Sequence, residues 1–505
     1  MKNLFLFIRP PRSLWVFNGK NSAFWPPLAF AYLASALREN VPEISVEIWD
    51  YPALKMGWKT LILELEKCRP QFIGIGEEAV SCTEGLRLAK IAKELGATVI
   101  AGGCTYSHLA KPILSTSCVD YIVHNEGEIT LVNLVRALLE SNNLSTIEKI
   151  KGISFRCNGQ IITNPPQLLI EDLDTLPIPA YDLLPMEYYG KGSKNHPNLA
   201  SIEYSRGCFD SCNFCVLWRQ MGKCINDTWY PYYRTKSPER VMEEIKILVK
   251  KYDRKYLCWV DPTFNGNSSS QSQLADYLLR ENYNINFSAW IRKDGIIRDE
   301  QNGALRKIVA AGLNEVFIGV ENNNPAIVKS LGKHNNTYPF VKQAISILRR
   351  KYPNVFVIGS FIYGFPEDNF KSIWILQDQV YKLGLDYAFF IPLTPLPGTP
   401  YWNDKLWDNE GKNLRLFDFI LPPVNTKKRF HLSLYLYICC LFDFRPKRIK
   451  EWIGIFFEKN RRKRRIKQRL FLRSLKFLLK VLVANCFLKN SSKRTAMYFP
   501  KWYND

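Results

Sequence analysis

Three cysteines lie close together in residues 205–215, whose sequence is SRGCFDSCNFC. Cys208, Cys212 and Cys215 have the spacing C-x3-C-x2-C and follow directly after a predicted strand, residues 201–205. Thiolates on one short loop can converge on a metal centre, and a [4Fe–4S] cluster normally takes four cysteine ligands. A set of three leaves one iron open to a small molecule, as the open position of a catalytic metal site does.

The alternative is a structural zinc site with Cys224, which follows Cys215 by nine residues, as the fourth ligand. Zinc sites of this kind usually combine paired C-x2-C elements, which this segment lacks. The five histidines are scattered and indicate no histidine-based site: His108, His124, His196, His334 and His431. A zinc-stabilised protein that binds nucleic acid through a basic tail is therefore the second hypothesis.

The first 140 residues predict a parallel sheet with helices on both faces. Apolar runs predict strands at 4–8, 46–49, 72–76, 98–101 and 121–123, and helical periodicity covers 27–38, 84–95 and 130–140. Strands that alternate with helices of this length are typical of doubly wound folds. Such sheets bind ligands at the carboxyl ends of their strands, where Gly76, Gly102 and Gly103 lie.

Residues 200–400 predict a second, barrel-like unit. A hairpin at Asn158-Gly159 and a proline-rich stretch precede it. Six predicted strands then alternate with helices, at 201–205, 256–260, 285–290, 315–320, 355–362 and 387–391. This is two units short of a closed eight-stranded barrel, so a partial barrel is expected.

The sequence thus predicts an α/β protein with four regions. Residues 1–145 form a doubly wound, Rossmann-like domain, and 146–195 a hairpin with a proline-rich linker. Residues 196–402 form the partial (β/α)6 barrel, and 403–505 a basic, mainly helical region. The three cysteines follow the first barrel strand.

Positive charge is concentrated at the end of the chain. The net charge is +22, and residues 427–505 contain 22 Lys and Arg against 4 Asp and Glu. Arg473, Lys476 and Lys480 share one predicted helical face opposite Leu and Phe residues, a pattern typical of helices on membrane surfaces. The same pattern also fits a basic helix that packs on the body by its apolar face.

Other features bear on location. No run of about 20 apolar residues predicts a spanning helix. The apolar part of the first residues is too short for a signal peptide. The 13 cysteines show no disulfide rhythm, so a reducing cytoplasm is expected, with contact to the inner membrane face as an option.

The spacing C-x3-C-x2-C, with Phe214 before the last cysteine, resembles the signature of the radical S-adenosylmethionine (SAM) superfamily. In that family the amino and carboxylate groups of SAM chelate the open iron. One electron from the cluster then cleaves a carbon–sulfur bond and yields the 5′-deoxyadenosyl radical. The resemblance implies a partial barrel, a [4Fe–4S] cluster, SAM, and an electron donor such as flavodoxin or ferredoxin.

Positions at later strand ends resemble SAM contacts of that family, as does Phe214. Asp261 resembles the residue at the SAM amino group, and Arg292 the residue at its carboxylate. Glu321 resembles the ribose contact. Glu367, in the segment 362–367 (IYGFPE), resembles the residue beside the adenine.

A doubly wound domain before such a barrel resembles the cobalamin-binding subclass, which contains the anaerobic magnesium-protoporphyrin IX monomethyl ester cyclase and the hopanoid methylases. The likeness covers about residues 1–400. The resemblance implies that cobalamin contacts Pro27, Leu28, Gly76, Cys82, Gly102, Gly103, Glu126 and Gly127. Asn125 stands where the family usually has Gly, and the D-x-H-x-x-G motif is missing, so no protein histidine is expected at the cobalt. A degenerate domain without cobalamin is the alternative.

The reaction implied by this layout is methylation of an unactivated carbon. The rival is an oxidative or cyclising reaction without methyl transfer. The substrate is expected to be a small molecule, and a hydrophobic one would fit a membrane-associated enzyme. Nucleic acid is not the expected partner.

Overall fold

The computed structural model of the protein describes most of the chain. The described residues are 3–12, 25–76, 78–140, 144–226, 228–333, 337–402, 414, 417, 427–441, 446–485 and 499–505. His334 and most of residues 403–426, which follow the predicted barrel, lie outside these ranges.

The N-terminal unit is built on a seven-stranded sheet. Its strands are β1 (Asn3–Arg9), β2 (Ile44–Asp50), β3 (Phe72–Ile75), β4 (Thr98–Gly102), β5 (Tyr121–Val123), β6 (Ile153–Cys157) and β7 (Gln160–Thr163), in the order β2-β1-β3-β4-β5-β6-β7. The first five are parallel, as predicted. The predicted hairpin is β6 and β7, and it extends the sheet because β6 pairs antiparallel with β5.

Helices cover both faces of this sheet, which confirms the predicted doubly wound architecture. They are α1 (Leu28–Asn40), α2 (Tyr51–Leu54), α3 (Trp58–Cys68), α4 (Cys82–Glu94), α5 (Gly103–His108), α6 (Ala110–Leu114), α7 (Glu128–Glu140) and α8 (Leu144–Ile147). Phe5 and Phe7 of β1 pack in one core with α1 and α7, whereas Leu6 and Ile8 pack in the other with α3 and α4. The alternation follows from the two-residue period of a strand.

The second unit is a six-stranded parallel sheet. Its strands are β8 (Leu199–Ile202), β13 (Tyr256–Trp259), β14 (Asn286–Trp290), β15 (Leu313–Glu321), β16 (Phe356–Tyr363) and β17 (Tyr387–Pro392), in the order β17-β16-β15-β14-β13-β8. All five pairings are parallel. The predicted partial barrel is therefore confirmed. The four domain bounds themselves stay a prediction.

Short strands and helices surround this sheet. The strands are β9 (Ser205–Gly207), β10 (Lys223–Ile225), β11 (Thr228–Tyr230) and β12 (Tyr233–Thr235). The helices are α9 (Leu217–Gln220), α10 (Pro238–Lys250), α11 (Ser268–Glu281), α12 (Lys293–Gln301), α13 (Ala304–Ala310), α14 (Pro325–Ser330), α15 (Tyr338–Lys351) and α16 (Phe370–Leu383).

Helix α10 shows why these segments are helical. The Ser237 side chain accepts a hydrogen bond from the Arg240 N–H, and Pro238 occupies the first turn. Val241, Ile245 and Leu248 then recur at helical spacing, and all three are buried.

The C-terminal region contains α17 (Lys427–Leu441), α18 (Pro446–Phe457) and α19 (Arg461–Asn485). Helix α17 packs on α16, and Ser433 is hydrogen-bonded to Tyr363 of β16 at 2.9 Å. Among the described helices, none is both long enough and apolar enough to cross a bilayer.

The first half of α19 lies across the amino-terminal ends of the barrel strands. Ile466 packs against Phe356 and Ile358 of β16. Lys463 and Lys467 each form a 2.8 Å ion pair with Asp386. Basic residues in the first half of α19 thus bind the barrel. The side chains of Arg473, Lys476 and Lys480 lie outside the described part, so the membrane-facing role predicted for them stays a prediction.

Asp386 holds α19 on the barrel and gives a test of this docking. Burial alone would raise the pKa of Asp386, but the charges of Lys463, Lys467 and Arg349 bring it below its usual value. Asp386→Ala leaves Lys463 buried without its partner, so we expect a loss of about 3–5 kcal/mol in the free energy of unfolding, measured by urea denaturation.

The matched control is Asp276→Ala, which removes an exposed ion pair with Lys307 and should cost about 1 kcal/mol or less. Because the Asp386 pKa is lowered, its stabilisation is present above the usual carboxylate pKa of about 3.9 and is lost as the pH falls through the lowered value. Equal losses in the two variants would contradict this docking contact.

Candidate active site

The cysteine loop begins where β9 ends, at the carboxyl end of β8. Gly207 has a φ of +90°, and a Cβ there would clash with the carbonyl oxygen of Tyr232. Glycine is therefore needed where the chain turns into the loop. Asn213 fastens the middle of the loop to the end of α14, since its N–H donates to Leu331 O at 2.9 Å and its Nδ2 to Ser330 O at 2.8 Å.

The three predicted ligand cysteines share one environment. Burial raises the pKa of Cys212 to about 12 and that of Cys215 to about 11, and Cys208 and Cys215 repel each other as thiolates. Cys208 Sγ lies 3.4 Å from Thr263 Oγ1 at the end of β13. Thiolates in this site need a compensating positive charge, which bound iron supplies.

The donor set of the loop is three thiols. Within the described residues, no three His, Cys, Asp or Glu side chains are grouped as ligands of one ion. Cys224, the alternative fourth zinc ligand, lies on β10 in the hairpin with β11. The ligands of an iron–sulfur cluster each bind a different iron, so three thiols on one loop suit such a cluster.

Asp261 follows β13 and is buried. Its Oδ1 accepts hydrogen bonds from the N–H groups of Tyr204 and Ser205 and from Ser205 Oγ, so it fixes the start of the cysteine loop. Its Oδ2 is buried without a hydrogen-bond partner in the described structure. Burial raises the pKa of Asp261 to about 7. A donor such as an ammonium group would satisfy this oxygen.

Arg292 is bound to the cysteine loop. Its guanidinium pairs with Asp210 at 2.5 Å and with Asp294 at 2.8 Å. The predicted SAM-carboxylate contact therefore already has two carboxylate partners. The next residue, Lys293, is buried and donates to Gly319 O at 2.8 Å, and burial lowers its pKa to about 7.

Glu321 is buried at the end of β15 with a φ of +65°, a conformation that costs a non-glycine residue about 1–3 kcal/mol. Such strain clusters at functional sites. Lys333 forms a 2.5 Å ion pair with Glu321, and its charge also lowers the pKa of Cys212 against the effect of burial. Lys333 was not predicted, because it comes from a loop between helices rather than from a strand end.

The last predicted SAM contacts lie near β16. Phe214 packs in an apolar cluster with Phe365 and Leu393. Glu367 is exposed on the loop after β16. Its neighbour Asp368 is buried, and its Oδ2 accepts hydrogen bonds from the Gly364 and Phe365 N–H groups. The structure thus places Asp368, rather than Glu367, in the buried part of this turn.

A cavity of about 340 Å³ lies between the two sheets. Six of the eight residues predicted to contact cobalamin line it, namely Leu28, Gly76, Gly102, Gly103, Glu126 and Gly127. Pro27 and Cys82 do not line it. The barrel side contributes Arg206, Met221 and Pro262, so both units form the walls.

The glycines open this cavity at the carboxyl ends of β3 and β4. A Cβ on Gly103, whose φ is +83°, would meet nothing within 4 Å. A Cβ on Gly76 would lie 3.1 Å from Phe30. Backbone is therefore accessible to a ligand here, and Phe5, Phe7 and Leu33 give the cavity a mostly apolar lining.

Glu126 lies at the junction of the two units. It pairs with Arg234 at 2.9 Å and with Arg206 at 3.3 Å. Arg206 also pairs with Glu128 at 2.7 Å and with Glu203 at 2.9 Å. Burial would raise the pKa of Glu126, but the two arginines bring it below its usual value. This carboxylate thus fastens the N-terminal sheet to the barrel at the cavity.

The cavity reaches the cysteine loop. Cys104, which lines the cavity after Gly103, has a pKa raised to about 12 by burial and by the nearby Cys215. Gln220 and Met221, a few residues after Cys215, form part of the opposite wall. The sequence offered one signal for Cys104, its place after the glycine pair at a strand end. The two predicted cofactor sites therefore adjoin.

The radical SAM superfamily model matches residues 202–380, which contain the cysteine loop and most of the barrel. An uncharacterized methyltransferase of Pyrococcus horikoshii is 31% identical over 408 residues, which cover 80% of this chain and 83% of that protein. The anaerobic magnesium-protoporphyrin IX monomethyl ester cyclase of Rubrivivax gelatinosus is 24% identical, over 78% of this chain and 68% of its own.

Solved structures share the fold. The cobalamin-dependent SAM radical enzyme OxsB, with aqua-cobalamin and SAM bound, has a TM-score of 0.63 at 16% identity, over 99% of this chain and 84% of its own. The radical SAM methyltransferase TsrM from Kitasatospora setae has a TM-score of 0.61 at 18% identity, over 79% and 74% of the two chains. With the family match and the Pyrococcus relative, the fold and the cysteine loop lead to one conclusion: this chain belongs to the radical SAM superfamily.

Proposed function

We propose that this protein is a cobalamin-dependent radical SAM enzyme that methylates an unactivated carbon of a small, hydrophobic substrate. One observation supports the proposal above the others: the cavity at the strand ends of the N-terminal sheet adjoins the cysteine loop of the barrel. A radical source and a methyl carrier must act on the same substrate, so their sites must adjoin. The relatives named as methyltransferases agree with this reaction.

In this proposal Cys208, Cys212 and Cys215 hold a [4Fe–4S] cluster, which when bound supplies the electron that cleaves SAM. The chain's own residues position it. Asp210 and Arg292 hold one side of the loop, and Asn213 fastens the other to α14. Lys333 places a positive charge beside Cys212, which favours its thiolate form.

The SAM contacts are proposed at the barrel strand ends. The unpartnered Oδ2 of Asp261 fits the amino group, and Glu321 fits the ribose hydroxyls. Arg292 is bound to the loop through Asp210 and Phe214 is part of the loop, whereas the exposed Glu367 would have to turn inward to reach a ligand. Lys293 follows Arg292, is buried and donates a hydrogen bond to a backbone carbonyl, so it can also serve a carboxylate.

Cobalamin is proposed in the cavity, where it would supply the methyl group. Gly76, Gly102 and Gly103 allow a large ligand to approach the backbone, and most of the cavity wall is apolar. Leu28, Glu126 and Gly127 complete the lining, whereas Pro27 and Cys82 lie outside it.

A hydrophobic substrate fits the barrel mouth. Trp290, at the end of β14, stacks on Phe317 of β15 with ring centroids 4.6 Å apart, yet 37% of its surface is exposed. Val260 is likewise exposed at the end of β13. Apolar surface at a strand-end site is typical of ligand pockets.

We also propose the protein's surroundings. A small reducing protein such as flavodoxin or ferredoxin supplies electrons. The basic C-terminal region contacts the inner face of the membrane from the cytoplasm. The support for this contact is the charge excess of residues 427–505.

Anaerobic reconstitution with iron and sulfide tests the cluster. We expect a brown protein with about four irons per chain, and loss of both in the Cys208→Ala/Cys212→Ala/Cys215→Ala variant, because no other ligands replace the thiolates. The matched control is Cys224→Ala, which should keep the cluster. A colourless wild-type protein with one tightly bound zinc would refute the proposal.

Two glycines with the same backbone geometry test the cobalamin site. Gly103 (φ +83°) lines the cavity, whereas Gly96 (φ +84°) does not, and a Cβ would meet nothing within 4 Å at either. Gly103→Leu should weaken hydroxocobalamin binding at least about tenfold, because the leucine side chain occupies part of the cavity. The lost contacts with cobalamin then cost more than about 1.4 kcal/mol of binding free energy. Gly96→Leu has the same backbone strain and should bind like the wild type. Absorbance of the protein after gel filtration measures binding, and equal binding by both variants would contradict the site.

The products of SAM report the reaction class. Methyl transfer consumes SAM in two roles, so we expect S-adenosylhomocysteine together with 5′-deoxyadenosine, quantified by liquid chromatography with mass spectrometry. The cobalamin-deficient Gly103→Leu variant should lose S-adenosylhomocysteine first. If the wild-type protein forms 5′-deoxyadenosine alone, the reaction is an oxidation or a cyclisation.

A further inference from the structure

Helix α18 exposes a stripe of large apolar side chains. Ile449, Ile453, Phe456 and Phe457 are 37%, 51%, 61% and 77% exposed. Their spacing of four, seven and eight residues places them on one face of the helix. Such a cluster on a twelve-residue helix is unusual for a surface that meets water alone.

Trp452, at the edge of this stripe, packs α18 against α19. The Trp452 ring lies 6.4 Å from the Phe471 ring of α19, and α19 in turn is bound to the barrel through Asp386. The four exposed side chains of the stripe therefore lie on a helix that is packed against the protein at its Trp452 edge.

Basic residues of α19 divide between two faces. Arg462 and Lys463 point inward to Glu315 and Asp386. By contrast, Arg461, Arg465 and Arg469 recur every four residues, are exposed, and have no ion-pair partner within the described part of the chain. Glu458, which lies between the two helices, is bound to Lys467. The outward face is thus cationic.

Farther along the same outward face of α19, the side chains become apolar. Leu472 is 58% exposed and lies three residues after Arg469, and Leu475 is exposed one turn later. The two helices therefore present exposed apolar side chains together with exposed arginines that have no ion-pair partner among the described residues.

We propose that the α18 stripe, with Arg461, Arg465 and Arg469 of α19, docks on an anionic lipid bilayer. Phenylalanine and isoleucine side chains enter the boundary between headgroups and acyl chains, and the arginines pair with lipid phosphates. Nucleic acid offers phosphates but leaves the stripe in water. This inference rests on the membrane contact of the proposed function. It assigns that contact to the α18 stripe and its neighbouring arginines rather than to the α19 face that carries Arg473.

Co-sedimentation of the full chain with lipid vesicles tests the surface. We expect binding to vesicles of phosphatidylcholine and phosphatidylglycerol at low salt, and little to phosphatidylcholine alone. Phe456→Ser/Phe457→Ser should weaken this binding at least about tenfold, since two aromatic side chains no longer leave water. The matched control, Leu63→Ser/Leu168→Ser, removes two exposed leucines that lie outside the C-terminal region and should bind like the wild type.

The arginines are tested by Arg461→Gln/Arg465→Gln/Arg469→Gln, which should weaken binding and reduce its dependence on salt. Thermal unfolding checks that each variant is folded. Absence of vesicle binding at low salt, equal binding by the stripe variant and the control, or binding to a DNA duplex in preference to vesicles would overturn the proposal. Formation of 5′-deoxyadenosine should be unchanged in the stripe variant, so failure of docking and failure of the catalytic proposal are distinguishable.

Discussion

The two halves of this protein meet at a buried charge network centred on Arg206. This side chain leaves the strand that precedes the cysteine loop, and it binds Glu126 and Glu128 of the N-terminal unit and Glu203 of the barrel. Arg234 adds a second cation at Glu126. Buried charges are costly unless each is paired and hydrogen-bonded, so this network is satisfied in one relative placement of the two sheets. The cavity and the cysteine loop adjoin as a consequence of that placement.

The cysteine loop depends on a similar balance between burial and charge. Desolvation raises the pKa values of Cys212 and Cys215. Lys333 opposes this effect at Cys212, and Asp261 and Arg292 fix the loop by hydrogen bonds and ion pairs rather than by packing. Thiolates in such a site depend on nearby positive charge, and the supporting residues come from the segments after β13 and β14 and from the loop between α14 and α15. This distribution explains why much of the barrel is needed to support one short loop.

The basic C-terminal region shows how helical periodicity divides one residue type between two roles. Lys463 and Lys467 turn toward Asp386 and close the amino-terminal side of the barrel. Arg461, Arg465 and Arg469 turn outward. Some of the positive charge of the C-terminal region therefore stabilises the fold. The arginines that face outward lie beside the apolar stripe of α18. The proposed membrane contact agrees with the proposed hydrophobic substrate, because such a substrate dissolves in the bilayer.

The sequence by itself determined the cysteine motif, the succession of strands and helices along the chain and the glycines at the strand ends, because these depend on local spacing and on hydrophobic period. The confirmed family, the doubly wound sheet and the partial barrel all follow from such local signals. Glu367 and Asp368 show the limit: adjacent acidic residues are equivalent in a sequence pattern, and the turn after β16 decides which one is buried. Lys333, the closeness of Cys104 to Cys215, and the Arg206 network were beyond reach, since they depend on partners elsewhere in the chain. Tertiary structure alone decided them, because pairing of buried charges and closeness of thiols depend on how the two sheets pack, and no local period in the sequence encodes that distance.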